Sequence, residues 1–149
     1  MVISMPDDTD FDKWVEETQK AIIEEDLKIF PKKVVELFYN PQNWGSMQDW
    51  NVEKSCYKGP CGDTIQFFIE IEDGIIKDAK FLTDGCGATV AAGSMTTILI
   101  KGKPIDYAIN LKAEDIEKEL GGLPEDHKHC ALLAELSLKE ALKKYIKNK

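Results

Sequence analysis

Apolar residues recur along this chain with two periods, and each period predicts an element. In "TIQFFIEI", Ile65, Phe67, Ile69 and Ile71 fall on one face of a period-two pattern, which reads as a strand with a buried side. Asp73-Gly74 follows as a hairpin turn, and "IIKDAKFLT" returns as the next strand. A weaker alternation in "WNVEKSCY" suggests a strand ahead of these two. Earlier still, Phe11, Trp14, Val15, Thr18 and Ile22 repeat at helical spacing, with Thr9 or Asp10 available as the N-cap. Such an aromatic stripe is expected to pack. Pro31 opens a short second helix, "PKKVVELFYN", and the turn formers of "NPQNWGSMQDW" end it.

The second half is helical. "ATVAAGSMTTILIKGK" is rich in small residues and stops at Lys101-Gly102. "KPIDYAIN" and "AEDIEKEL" are short helices, the second closed by Gly121-Gly122. "EDHKHCALLAELSLKEALKKYIKNK" is a final amphipathic helix, acidic at its start and lysine-rich at its end, as the helix dipole prefers. No internal repeat or low-complexity linker interrupts the chain. The expected fold is α+β: a small three-stranded antiparallel sheet packed with several helices. The expected organisation is one domain over residues 1–149, with 1–30 a helical extension and 31–149 the core.

Composition narrows the function. The chain is 43% hydrophobic and 31% charged, ordinary for a globular protein. Its net charge is −8, and all 19 basic residues are lysine. Without arginine it lacks the fork that reads guanine edges or clamps phosphates, so neither nucleic acid nor an anionic membrane is an expected partner. No run reaches the ~20 apolar residues of a membrane helix. The opening "MVISMPDDTDFDKW" has no signal-peptide pattern, which makes cytoplasmic the expected location. Thiols stay reduced there, so the four cysteines read as metal-binding, redox or core residues rather than disulfides.

Three of those cysteines share a setting. Cys61 precedes a strand, Cys86 joins a strand to a helix, and Cys130 lies in the first turn of the last helix. All three stand at element ends, where functional atoms are commonly exposed. Helix N-termini beside Cys86 and Cys130 favour a thiolate. Gly62, Gly85 and Gly87 clear side chains from the sulfurs and admit backbone N–H groups, which tune iron–sulfur centres. The spacing matches no ordinary zinc ribbon or ferredoxin run.

Taken together, "NPQNWG" (Asn40–Gly45), "CGD" (Cys61–Asp63), "DGIIKDAKF" (Asp73–Phe81), "GCGATVAAGS" (Gly85–Ser94), "KGK" (Lys101–Lys103), "LP" (Leu123-Pro124) and "HCALLAE" (His129–Glu135) resemble the IscU/NifU-N iron–sulfur cluster assembly scaffolds. The resemblance runs from about Lys32 to Lys149. It implies an α+β fold whose cysteines converge at one exposed end, and there hold a transient [2Fe–2S] cluster. Iron arrives as ferrous ion, sulfur as persulfide from a cysteine desulfurase, and the cluster leaves for apo iron–sulfur acceptor proteins. The resemblance implies Cys61, Cys86 and Cys130 as ligands, Asp63 as the residue that completes the site or governs release, and His129 as an alternative ligand. It also allows zinc in the cluster-free form and a homodimer. Asp63 is a harder, protonatable ligand that loosens one corner of a site whose cargo must leave. Cys130, an early-helix thiol beside His129, is the expected persulfide acceptor.

The chain departs from the family pattern in places. Cys56 has no counterpart and reads as a packing residue. "LPEDHK" stands where many bacterial members have "LPPVK", and Glu125 and Asp126 make recognition by an Hsp70-type chaperone doubtful. His127 occupies the lysine of that segment; a further ligand is one reading of it, and a solvent-facing histidine is the expected one. Trp44, Trp50 and Tyr57 are expected to pack around the first strand. A non-enzymatic scaffold is the leading function, and a zinc-binding interaction or regulatory domain of the desulfurase system is the alternative. A cysteine hydrolase using Cys130, His129 and Asp63 is disfavoured, because adjacent helix residues point in different directions.

Overall fold

A computed structural model of the chain describes residues 8–46, 55–58 and 63–147. Helix α1 (Asp8–Leu27) and helix α2 (Lys32–Tyr39) precede strands β1 (Ser55–Lys58), β2 (Thr64–Glu72) and β3 (Ile75–Thr83). Helices α3 (Gly87–Ile100), α4 (Ile105–Ile109), α5 (Ala113–Leu120) and α6 (Lys128–Lys147) follow, with a 3-10 turn at Glu125–His127 just before α6. Helices and sheet therefore mix as the two periods predict.

The sheet is antiparallel, in the order β1-β2-β3. Its main body is the β2–β3 hairpin, where Phe67 pairs with Phe81 and Ile69 with Ala79; β1 adds four residues along β2. Asp73 and Gly74 both take positive φ, 53° and 77°, the backbone a two-residue hairpin needs to match strand twist. Ile65, Phe67, Ile69 and Ile71 are buried, and so is Phe68 on the opposite face.

Helix α3 is the centre of the core. It packs on β3, α2, α5 and α6, and its residues Ala91 to Thr97 are all buried. Small side chains allow this burial on every side. The hydroxyls involved are satisfied locally: Thr96 donates to the Ala92 carbonyl at 2.7 Å and Thr97 to that of Ser94 at 2.6 Å. Gly93 sets the helix-to-sheet distance, because a Cβ there would lie 2.6 Å from the fully buried Phe81 ring. Gly93→Ala should therefore destabilise the fold by about 1–3 kcal/mol, measured by urea denaturation. A variant as stable as the parent would show that Phe81 can yield.

The "NPQNWG" loop does more than end a helix. Ser94 Oγ accepts from Gln42 N at 2.8 Å and donates to Gln42 O at 2.9 Å. Asn43 and Gly45 exchange backbone bonds with Phe81, which fastens the loop along the free edge of β3. Trp44 stands edge-on to the Phe81 ring at 5.3 Å, so it packs on β3 rather than around the first strand. Trp50 lies outside the described residues, as does the side chain of Tyr57.

Helix α1 begins at Asp8, so Thr9 and Asp10 lie inside it and neither is its N-cap. Among the described residues, its stripe is left largely uncovered. Phe11, Trp14 and Ile22 are each about half exposed, and the Phe11 and Trp14 rings meet at 6.1 Å between centroids. A tether at its far end, Tyr39 OH donating to Asp26, holds α1 to α2.

Candidate metal centre

Two elements of the core bring two thiols together. Cys86 takes the N-cap position of α3, where the chain leaves β3 in extended conformation, and its side chain is exposed. Cys130 enters from the first turn of α6 and is fully buried. Thr89, buried one turn into α3, joins them: its hydroxyl lies 3.6 Å from Cys86 Sγ and donates to Cys130 Sγ at 3.3 Å. Nothing in the composition singled out Thr89. The signal was its place three residues after Cys86, on the same helix face.

His127 completes a group. One ring nitrogen of His127 and the sulfurs of Cys86 and Cys130 all lie within 4.8 Å of one another. The histidine is half-buried against Phe30, whose ring meets it edge-on at 5.0 Å, so it does not face solvent as the sequence suggested. The reason is that Glu125–His127 form a 3-10 turn, closed by His127 N donating to Pro124 O at 2.8 Å. The final helix starts only at Lys128, and the turn carries His127 inward.

His129 is placed differently. Its Nε2 approaches Cys130 Sγ at 3.7 Å, closer than the direction argument allowed for neighbours on a helix. Asp63, half-buried just before β2, is near enough for its charge to act on Cys130. Cys61 and Gly62 lie outside the described residues, as does the side chain of Cys56. Gly85 and Gly87 serve packing: a Cβ on Gly87 would overlap the Phe38 ring at 2.3 Å, and one on Gly85 would meet Thr89 at 2.7 Å.

The thiols differ in acidity. Burial pushes Cys130 up to about 12; the negative charges of Cys86 and Asp63 add to this, against a hydrogen bond from Thr89. The early-helix position therefore does not make Cys130 a ready thiolate in this conformation. At Cys86, partial burial acts upward, but the Thr89 hydroxyl and the backbone N–H groups of Thr89 and Ala88 outweigh it and lower its value. In metal-free protein, iodoacetamide should modify Cys86 before Cys130, with half-maximal rate below the ordinary thiol range. Thr89→Val should move that midpoint upward; an unmoved midpoint would remove Thr89 from the explanation. The same burial weakens the hydrolase: His129 reaches Cys130, but the sulfur it would activate is enclosed.

Pairs of thiolates with imidazole suit zinc and iron, and the open side at Cys86 suits a cargo that enters and leaves. Residues 29–149 match the model of the family described as NifU-like N terminal domain. The chain belongs to that family. Among NifU-like relatives, the "Iron-sulfur cluster assembly scaffold protein IscU" of Aquifex aeolicus is 43% identical over 119 residues, covering 78% of this chain and 76% of its own length. The "Iron sulfur cluster assembly protein 1, mitochondrial" of Debaryomyces hansenii is 40% identical over 123 residues, 79% of this chain and 68% of its own. A crystal structure of a nitrogen-fixing NifU-like protein (N-terminal) from Brucella abortus superposes with a TM-score of 0.62 at 17% identity, covering 79% of this chain and 94% of that one. It shares the fold. The name of the Debaryomyces relative places that protein in mitochondria, so similarity to it does not make this chain cytoplasmic; among the described residues, no helix is long and apolar enough to cross a membrane.

Proposed function

We propose that this chain is an assembly scaffold on which an iron–sulfur cluster, [2Fe–2S], is built as cargo and then handed on. The observation that carries the proposal is the convergence of Cys86, Cys130 and His127 from three separate elements, in a chain whose relatives are named assembly scaffolds. Ferrous iron, desulfurase-derived sulfur and a reductant that brings that sulfur to sulfide are the inputs, and apo iron–sulfur proteins are the recipients. Cys61, Asp63, Cys86, Cys130 and His129 are the proposed ligands or neighbours of the cargo. No small molecule is turned over.

The proposed organisation is one domain, with residues 31–149 as the scaffold core and 1–30 as an extension. Cys130 is the proposed persulfide acceptor; because it is enclosed, its sulfur must be uncovered when the donor docks. Mass spectrometry after desulfurase treatment tests this, and added sulfur found on Cys86 alone would overturn it. Exposed Glu125 and Asp126 speak against release by a chaperone that reads an apolar-basic segment. The scaffold itself is tested by anaerobic reconstitution: iron and acid-labile sulfide should bind in equal amounts. Zinc retained with no uptake of iron and sulfide would favour a regulatory zinc domain.

A further inference from the structure

The family resemblance points to His129 as the histidine of this site, but the geometry points to His127. We infer that His127 is a direct metal ligand here, joining Cys86 and Cys130 as donors to a single borderline divalent cation such as zinc or ferrous iron. The inference rests on the reading of this corner as a metal centre and deepens it by assigning the nitrogen donor.

Three observations carry it. First, the three donor atoms already lie within 4.8 Å of one another, and His129 does not join that group. Tetrahedral ligation at ~2.3 Å for sulfur and ~2.0 Å for nitrogen needs donors roughly 3.5–3.8 Å apart. The donors therefore stand within about an ångström of ligating separation. Second, His127 Nδ1 is buried and meets no hydrogen-bond partner among the described residues. A buried polar nitrogen left without a partner is costly, and a cation, or a partner fixed by one, would recover that cost. Third, the surroundings orient the ring without competing for it. Phe30 meets one side edge-on and the His129 ring stacks at 6.5 Å on another. Lys128, the adjacent cation, is turned toward Glu125 at 3.5 Å and Glu117 at 3.9 Å, so its charge is engaged elsewhere.

The spacing has a physical logic. His127 and Cys130 are three residues apart across a tight turn that runs into a helix, which sets both on one face. His129 is next to Cys130 and reaches its sulfur from the side. A lysine at position 127 could offer no donor while protonated, so this chain should hold a lone metal ion more firmly than a chain with lysine there.

The test uses the full chain with zinc and, as a spectroscopic substitute, cobalt(II). Zinc affinity from chelator competition should fall about tenfold or more in His127→Ala and change little in His129→Ala. The thiolate-to-cobalt charge-transfer band should survive in both variants, showing that the cysteines still bind. A variant-free readout guards against misfolding: the chain has 2 histidines, and zinc should shift the ring nitrogen resonances of His127 in the unmodified protein. The inference is overturned if His129 alone responds to zinc, or if His129→Ala weakens affinity and His127→Ala does not. Wild-type protein that shows no thiolate–cobalt band would overturn the metal-centre reading as well, a different outcome from a wrongly assigned histidine.

Discussion

Cys130→Ala is expected to bring bound iron and sulfide to background after reconstitution while leaving the fold intact. Cys130 is enclosed, touches Thr89 and His129, and lies in the group with Cys86 and His127. Losing its sulfur removes a soft donor for which no neighbouring oxygen can substitute. The cost to the fold is small by comparison. Alanine fills most of the space, and Thr89 loses one weak acceptor, worth about 1 kcal/mol. Circular dichroism should thus be unchanged when the cargo is gone. A cluster that assembles normally without Cys130 would contradict the site.

Asp63→Ala should lengthen the lifetime of the assembled cluster, by about tenfold if the carboxylate contributes one decade to release. In its proposed role Asp63 would act in two ways. As a hard, protonatable oxygen it suits iron less well than thiolate does. Its charge also opposes ionisation of Cys130, which weakens the sulfur as a ligand. Removing it relieves both. Loss of the visible absorption bands over time, in the presence of an apo-acceptor, measures the effect, and an unchanged transfer rate would sink the role of Asp63.

Local signals made much of the fold legible. The face formed by Ile65, Phe67, Ile69 and Ile71, the Asp73-Gly74 turn and the left-handed Gly121 after α5 each specify geometry within a few residues. What depends on distant partners was not legible. The stripe of Phe11 and Trp14 has a helical period whether or not anything covers it, and the structure leaves it exposed. The bonds of Gln42 to Ser94 and of Asn43 to Phe81 span tens of residues and leave no periodic trace.

The site was legible in part for the same reason. Cysteines beside glycines mark themselves, and Cys86 and Cys130 do converge. An uninterrupted final helix would turn His127 toward solvent; the 3-10 turn before Lys128 changes its direction. A threonine inside an apolar helix carries no mark of its own, so Thr89 does not stand out in the sequence. Its three-residue offset from Cys86 is the clue, and it matters only once Cys130 is known to lie opposite.

Transfer of the cargo bears most directly on the central claim. The protein would be reconstituted anaerobically with ferrous iron, cysteine and a cysteine desulfurase, then mixed with an apo-ferredoxin. The scaffold predicts equal iron and sulfide on this chain, followed by their loss from it as holo-ferredoxin forms. Iron and sulfide that never bind, or that bind and never leave, would contradict it.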